Sequence, residues 1–217
     1  MIYDRINVGC GNSPTEGWLN LDNSLALKLS RYNFLVAVLR SLRLIDDRQF
    51  ENIQWNRRNS VHYANAARRL PATDQSISYV YSSHMFEHLS KKHSILFLAE
   101  VRRVLRPGGV LRLAVPDLDT LVLEYNKTND ADAFLNDLLM VPPPLESWID
   151  RLKLVAVGYR QHQWMYNGES LKKCLENNGF INVIIQKPGE TIMSDPGSLD
   201  LWERSGDSLY VECVLPS

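Results

Sequence analysis

The sequence predicts an α/β domain built around a mostly parallel sheet. Strand-like apolar runs alternate with helical stretches through the first two thirds of the 217 residues, which is the order that βαβ units produce. The first run ends in the turn Gly9-Cys10-Gly11, and the second run ends at Asp22. The composition is consistent with a folded domain of this kind, because 45% hydrophobic and 23% charged residues are ordinary values for a domain that buries its own core.

The first half of the chain contains four predicted strands and one helical insertion. The strands are, in order, residues 6–9, 19–22, 61–64 and 77–82. Few residues separate the first two strands, whereas a parallel pair normally needs a crossover of about a dozen or more, so we expect the first crossover helix to be short or missing. Apolar residues at helical spacing over residues 25–45 predict one or two helices, within an insertion of about residues 25–60.

The second half alternates helices with the remaining strands. Predicted helices cover residues 85–105, 118–139, 148–157 and 170–178, and predicted strands cover residues 110–115, 181–186 and 209–215. Arg106-Pro107-Gly108-Gly109 is expected to end the first of these helices, because proline and paired glycines terminate helical structure. The polar residues 188–207 are interpreted as a mobile loop or an elaborated hairpin connection. No repeat is recognisable, so residues 1–217 are interpreted as one domain.

Composition also argues against several classes of protein. A net charge of -1 disfavours a nucleic-acid binder that depends on phosphate contacts. Cys10, Cys174 and Cys213 are widely spaced and odd in number, which favours reduced thiols in a cytosol over a disulfide framework. No signal pattern opens the sequence, and no apolar run approaches the ~20 residues of a membrane span. We therefore expect a cytoplasmic protein without stable membrane insertion.

Three segments form a pattern that none of them carries alone. They are the glycine turn with Asp22 after the next strand, residues 82–89 after a central strand, and residues 100–111, which run from a helix through Arg-Pro-Gly-Gly into a strand. Together they resemble class I S-adenosylmethionine-dependent methyltransferases, and most of all the small stand-alone "methyltransferase type 11"-like proteins. The resemblance covers residues 5–117 well and the last strands loosely. It implies a Rossmann-like, doubly wound sheet of seven strands, mostly parallel with a final antiparallel strand.

The resemblance implies S-adenosylmethionine as cofactor and assigns residues to it. These are Gly9, Cys10, Gly11, Asn12, Asp22, Asn65, Ala66, Ser82, Ser83 and His84. The glycine turn would approach the amino-acid part of the cofactor, and Asp22 would accept hydrogen bonds from the ribose. Ser83 and His84 would line the methionine moiety. Asn65 stands where the family most often has the adenine-binding aspartate, but an amide can still accept from the adenine amino group and donate to a ring nitrogen.

Methyl transfer needs an acceptor atom aligned with the sulfonium and, for a hydroxyl or amine, gains from a general base. The predicted catalytic residues are His162, His84 and Asp117. Glu87 and His88 match an "EHL" triplet of the family, for which a structural role is favoured over catalysis. His84 and His88 are four residues apart and could share a helix face, but no third metal ligand stands out. No metal site is therefore expected.

The leading hypothesis is an enzyme that methylates a small molecule or glycan-type acceptor, with oxygen preferred as the accepting atom. The alternative is a non-catalytic S-adenosylmethionine-binding scaffold with the same fold, and a nicotinamide-dependent dehydrogenase is disfavoured by the incomplete glycine fingerprint. The acceptor pocket is expected in the variable parts of the chain, residues 25–60, 118–168 and 188–207. A basic amphipathic helix near Arg40 is interpreted as a cap on the core, with a membrane-surface contact or a homodimer face as further possibilities.

Overall fold

The computed structural model describes residues 3–141 and 161–217 and contains a seven-stranded sheet. The strands are β1 (Arg5–Val8), β2 (Leu19–Asp22), β3 (Val61–Tyr63), β4 (Ile77–Ser83), β5 (Leu105–Pro116), β6 (Ile181–Gln186) and β7 (Ser208–Val214). Their order across the sheet is β3-β2-β1-β4-β5-β7-β6. Only β7 runs antiparallel to its neighbours, β5 and β6. The predicted fold class, a mostly parallel seven-stranded sheet with a final antiparallel strand, is confirmed.

Seven α-helices are described in these two ranges. They are α1 (Leu25–Leu29), α2 (Asn33–Ser41), α3 (Asp47–Arg58), α4 (Lys91–Val104), α5 (Leu118–Thr128), α6 (Ala131–Asp137) and α7 (Gly168–Asn177), and a 3-10 turn, η1, covers Phe86–His88. Side-chain caps explain several starts: Asp46 and Asn167 form capping boxes before α3 and α7, and Ser90 caps α4. Three helices thus lie between β2 and β3. No described helix is long and apolar enough to span a membrane.

No helix lies between β1 and β2, whose connection is described throughout. Residues 9–18 form turns, and a pair of buried asparagine side chains holds them in place. Asn20 Oδ1 accepts from the backbone N–H of Thr15 at 2.8 Å, and Asn7 Nδ2 donates to Thr15 Oγ1 at 3.1 Å. These bonds satisfy polar groups that would otherwise be buried without partners. The missing first crossover helix was predicted correctly.

The predicted helix over residues 85–105 is too long at its start. Residues 86–88 form η1 instead, and α4 begins only at Lys91, where Ser90 accepts from the N–H of His93. The end of this region also differs from the prediction. The Arg-Pro-Gly-Gly segment belongs to β5, because the sheet register shifts between Ile77 and Tyr79 and accommodates the extra residues as an irregularity. Gly108 N–H donates to Leu215 O, which ties the segment to the end of β7.

The predicted helical region over residues 118–139 is interrupted. Asn129 adopts a left-handed conformation with φ of 51°, which ends α5, and Asp130 caps α6. The predicted helix over residues 148–157 lies outside the described residues.

Buried apolar side chains pack against both faces of the sheet. One face packs against α4 and α7 around Phe97, Val101, Leu171 and Leu175, all fully buried. The other face holds Trp18, Tyr81 and Tyr210, with Met193 and Leu199 from residues 187–207 packed on it. The segment predicted as a mobile loop or hairpin connection is therefore a connection that covers the sheet.

Candidate cofactor and active site

The predicted cofactor turn follows β1 at the carboxyl edge of the sheet, where open α/β sheets bind ligands. Gly9 has φ of 72° and Gly11 has φ of 50°, a region that side chains rarely adopt. A Cβ on Gly9 would lie 2.6 Å from Met85 Cγ, so glycine is needed there for close contact with the chain after β4. A Cβ on Gly11 would meet nothing within 4 Å, so this glycine faces open space.

Cys10 points away from that open space. Its side chain is buried with Leu27 and Val61 in a small cluster beneath α1. Burial raises the pKa of the Cys10 thiol to about 12, so it is neutral near pH 7. Cys10 can therefore contribute only backbone atoms to the turn, and Asn12 beside it is exposed.

Asp22 ends β2 directly beside the glycine turn. Its Oδ2 accepts from the N–H of Gly11 at 3.2 Å, and its Oδ1 accepts from the N–H of Ser24 at 2.6 Å. The half-buried carboxylate keeps lone pairs that these bonds do not use, because each carboxylate oxygen has two acceptor sites. Asp22 and the glycine turn are therefore in direct contact, while their assignment to the cofactor stays a prediction.

The residues at the end of β4 differ in whether their side chains already have hydrogen-bond partners. The Ser82 hydroxyl donates to Val8 O at 2.9 Å and links β4 to β1. Ser83 Oγ is buried and makes no hydrogen bond to any residue in the described ranges. His84 has φ of 47°, and its Nε2 lies 2.7 Å from Ser208 Oγ. Burial lowers the pKa of His84 to about 4, so its imidazole is neutral near pH 7.

Asn65 follows β3 at the same edge of the sheet. Its Oδ1 accepts from the N–H of Ala67 at 3.1 Å, while Ala66 is buried in the core. Asn65 lines a cavity of about 760 Å³ together with Lys28, Tyr63, Ala64 and residues 68–73. Gly9, Gly11 and Asp22 are not among the lining residues. Within the described residues the Asn65 side chain makes no other hydrogen bond, so its amide N–H groups and the second lone pair of its oxygen are unused.

Glu87 lies at the centre of a histidine cluster that sequence analysis did not assemble. Three imidazole nitrogens surround its Oε1: His84 Nδ1 at 3.7 Å, His88 Nε2 at 3.9 Å and His162 Nε2 at 3.9 Å. Glu87 is 0% exposed, and neither carboxylate oxygen forms a hydrogen bond with a described residue. Burial raises the pKa of Glu87 to about 7, and burial lowers the pKa of His88 and of His162.

Backbone hydrogen bonds bring His162 to this cluster from far along the chain. The N–H groups of Gln163 and Trp164 donate to Glu87 O at 2.8 and 3.2 Å. The N–H of His162 donates to Leu139 O at 3.0 Å. The pairing of His162 with the "EHL" triplet is therefore a long-range contact, which a local motif does not reveal.

Asp117 caps α5 with its carboxylate. Its side chain accepts from the N–H of Asp119 and from Thr120 Oγ1, each at 3.1 Å. The strand residue before it, Pro116, pairs with Ser208, whose hydroxyl contacts His84. Asp117 thus lies near the predicted catalytic histidines, with its carboxylate engaged in helix capping.

The residues at this edge fit S-adenosylmethionine. Gly11 borders open space, Asp22 keeps free acceptor sites beside it, and Ser83 has a buried hydroxyl without a described partner. These groups lie at the carboxyl ends of β1, β2 and β4, three adjacent strands. When bound, the cofactor supplies an activated methyl group, so this chain needs only to bind it and align the acceptor.

Residues 13–184 match the model of a family described as a methyltransferase domain. A crystal structure of an S-adenosylmethionine-dependent methyltransferase from Thermotoga maritima, described as a possible histamine N-methyltransferase, is 15% identical with a TM-score of 0.51. It covers 97% of this chain and 81% of its own. An S-adenosylmethionine-dependent methyltransferase from Methanosarcina mazei is 13% identical, with a TM-score of 0.52 and coverage of 100% and 94%. At these identities the likeness extends to the fold alone.

An uncharacterized 37.1 kDa protein in transposon TN4556 of Streptomyces fradiae is 41% identical over 56 residues. That match spans 26% of this chain and only 16% of the relative. The family model, in contrast, spans well over half of the chain and includes Asp22, the histidine cluster and α7. The chain therefore belongs to the methyltransferase domain family, and its fold is that of S-adenosylmethionine-dependent methyltransferases.

Proposed function

We propose that the protein transfers the methyl group to a hydroxyl oxygen of a small molecule or glycan-type acceptor, releasing S-adenosylhomocysteine. The observation that carries this proposal is the set of neutral imidazoles beside the cofactor edge. A hydroxyl keeps its proton until the methyl group is transferred, so its methylation gains most from a nearby base. His84 and His162 are the candidates for that base, because burial keeps both pKa values below the ordinary histidine value.

The cofactor in this proposal lies across the ends of β1, β2 and β4. Asp22 accepts from the ribose hydroxyls, and backbone groups of residues 9–12 hold the amino-acid part. Ser83 and His84 line the methionine moiety, and Asn65 with the backbone of Ala66 faces adenine. Support comes from the free acceptor sites of Asp22, the open space at Gly11 and the buried Ser83 hydroxyl.

The proposal is tested with S-adenosylmethionine carrying a ¹³C-labelled methyl group. Sugars, sugar alcohols and their matched amino derivatives are offered as acceptors, and NMR distinguishes O-methyl from N-methyl products. We expect labelled O-methyl products from the hydroxyl series. Labelling confined to the amino derivatives contradicts oxygen as the accepting atom.

The same assay tests His162. We expect His162→Ala to lower turnover by about 10²- to 10⁴-fold, the usual contribution of a general base, without changing cofactor affinity. His62→Ala is the matched control, since His62 is exposed on β3 away from the cluster. Unchanged turnover in His162→Ala removes this histidine from the candidates.

A further inference from the structure

Glu87 presents a buried carboxylate whose oxygens make no hydrogen bond within the described ranges. An isolated buried charge is costly, and buried carboxylates are normally paired, hydrogen-bonded or bound to a metal. Three imidazoles face it: His84 Nδ1 lies 3.7 Å from Glu87 Oε1, and His88 Nε2 and His162 Nε2 each lie 3.9 Å away. The Arg204 charge also acts on Glu87 and lowers its pKa, although burial has the larger, opposite effect. No lysine or arginine of the described part forms a salt bridge with it.

Both imidazoles have their outer nitrogen engaged by a backbone carbonyl. His88 Nδ1 lies 3.2 Å from Gln161 O, and His162 Nδ1 lies 2.9 Å from Leu138 O. A carbonyl oxygen only accepts hydrogen bonds, so each Nδ1 must carry the proton. In the neutral ring the Nε2 lone pair is then unprotonated and turned toward Glu87. In metal sites, such a hydrogen bond from the ring nitrogen that does not bind the metal commonly fixes the orientation of the histidine.

The centre of the cluster is therefore lined by three acceptors, the two Nε2 lone pairs and the Glu87 carboxylate, whose atoms all lie within 4.8 Å of one another. Three acceptors facing one another repel unless a metal cation or a proton lies between them. We propose that Glu87, His88 and His162 bind a divalent first-row transition-metal ion of the Zn²⁺ type. Two histidines and one glutamate form a ligand set found in zinc and other transition-metal sites.

The ligand atoms must move closer together, by about half an ångström for the two nitrogen-to-oxygen distances and by up to about 1.3 Å for the distance between the two Nε2 atoms, which lie within 4.8 Å of each other. Metal bonds of about 2.0–2.2 Å in a tetrahedral site put neighbouring ligand atoms roughly 3.3–3.5 Å apart. The nitrogen-to-oxygen distances of 3.9 Å must therefore shorten by about half an ångström. The side chain of His88 is 34% exposed, which gives an ion a path from solvent. Three protein ligands also leave a coordination position for water or for an oxygen of a bound molecule.

The sequence-based expectation of no metal site missed this arrangement. It considered His84 and His88 on one helix face, but the ligands converge from η1 and from residue 162, which is joined to Glu87 by the backbone bonds of residues 163 and 164. The inference requires neither cofactor nor acceptor, but it shares His162 with the proposed function. With Nδ1 protonated toward Leu138 O and Nε2 bound to the ion, His162 has no free lone pair, so His84 is the base in a protein that holds the ion.

The experiment measures binding of the metal alone to chelator-stripped protein, with no S-adenosylmethionine present. Calorimetry with Zn²⁺ is expected to give one ion per chain, and Co²⁺ is expected to produce the visible absorption of a low-coordinate site. One equivalent of Zn²⁺ is also expected to raise the Tm of the wild-type protein, because an ion that binds only the native state stabilises it. No stoichiometric binding and no rise in Tm overturn the proposal and leave a shared proton as the occupant.

Variants locate the ion. We expect Zn²⁺ binding to be weakened in each of the variants Glu87→Gln, His88→Ala and His162→Ala. The loss should exceed the about 10- to 100-fold that is typical when a residue that only orients a metal ligand is removed. His62→Ala and His93→Ala are matched controls, because both histidines are exposed and outside the cluster. Stoichiometric binding that persists unchanged in the cluster variants, or is lost in the controls, assigns the ion to another site and overturns the proposal. Methylation by a protein that binds no metal would leave the proposed function intact.

Discussion

Gly9 and Gly11 have similar backbone conformations but different surroundings, and that difference can be measured. At Gly9 the chain after β4 packs against the position of the missing Cβ, whereas Gly11 borders open space. The first glycine therefore serves packing between strands, and the second leaves room at the predicted cofactor edge. The sequence motif alone does not distinguish these two roles, because both positions are glycine.

We expect Gly9→Ala to destabilise the protein more than Gly11→Ala. A left-handed non-glycine residue costs about 1–2 kcal/mol, which applies to both variants. Gly9→Ala adds a contact of 2.6 Å with Met85, and overpacking of this kind costs roughly 1–3 kcal/mol more. Chemical denaturation of the two variants gives the comparison, with Gly11→Ala as the control. Equal losses in the free energy of unfolding would contradict the packing role of Gly9.

At the scale of elements, the connection between β6 and β7 is held by a fully buried ion pair. Arg112 of β5 and Glu212 of β7 are each 0% exposed and 2.7 Å apart. Arg112 also donates to Glu190 O, and Glu212 accepts from the N–H of Ile192 and from Thr191 Oγ1. These bonds hold residues 187–207 against β5 and β7, and the polar composition of the segment does not predict this.

We expect Glu212→Gln to lower the free energy of unfolding by about 3–5 kcal/mol, because it leaves the buried Arg112 charge without its partner. Asp74→Asn is the matched control: Asp74 pairs with Arg103 at the surface, and loss of an exposed pair costs about 0–1 kcal/mol. Limited proteolysis should also cut residues 187–207 faster in Glu212→Gln. Comparable losses in the two variants would show that the buried pair does not hold the connection.

At the scale of the whole molecule, cofactor binding and stability are linked. The proposed cofactor contacts come from turns after three strands that all belong to the native sheet, so the unfolded chain cannot offer them together. A ligand at 100 times its Kd stabilises the native state by about 2.7 kcal/mol. S-adenosylmethionine should therefore raise the Tm of the whole protein.

We expect Asp22→Asn to weaken S-adenosylmethionine binding about 10- to 150-fold, since a hydrogen bond to a charged group is worth about 1.5–3 kcal/mol. At a fixed cofactor concentration the stabilisation should fall to about half or less. Calorimetry and thermal unfolding check both effects, with Asp47→Asn as control because its side chain is 92% exposed on α3. Unaltered affinity would refute the assignment of Asp22 to the ribose.

Much of the fold was predictable because its signals are local. The strand runs, the residues that end them and the lack of room for a first crossover helix can all be read over short windows, and β2 has the predicted bounds. The errors lie where tertiary pairing overrides a local signal. Proline and paired glycines are typical of a helix-ending turn, but here they belong to β5. Leu105 and Val110, on either side of them, pair with β4, and the two glycines hydrogen-bond with Leu215 just after β7.

The sequence by itself determined the fold class, the glycine turn followed by Asp22 after the next strand, and the residue types available for chemistry, since each depends on neighbours along the chain. Only the tertiary structure decided what those residues face. In the structure the Glu87 carboxylate is buried among three imidazoles, and the Asp117 carboxylate caps α5. The physical reason is that burial and partner atoms come from segments distant in sequence, and these contacts set the charge and reactivity of a side chain.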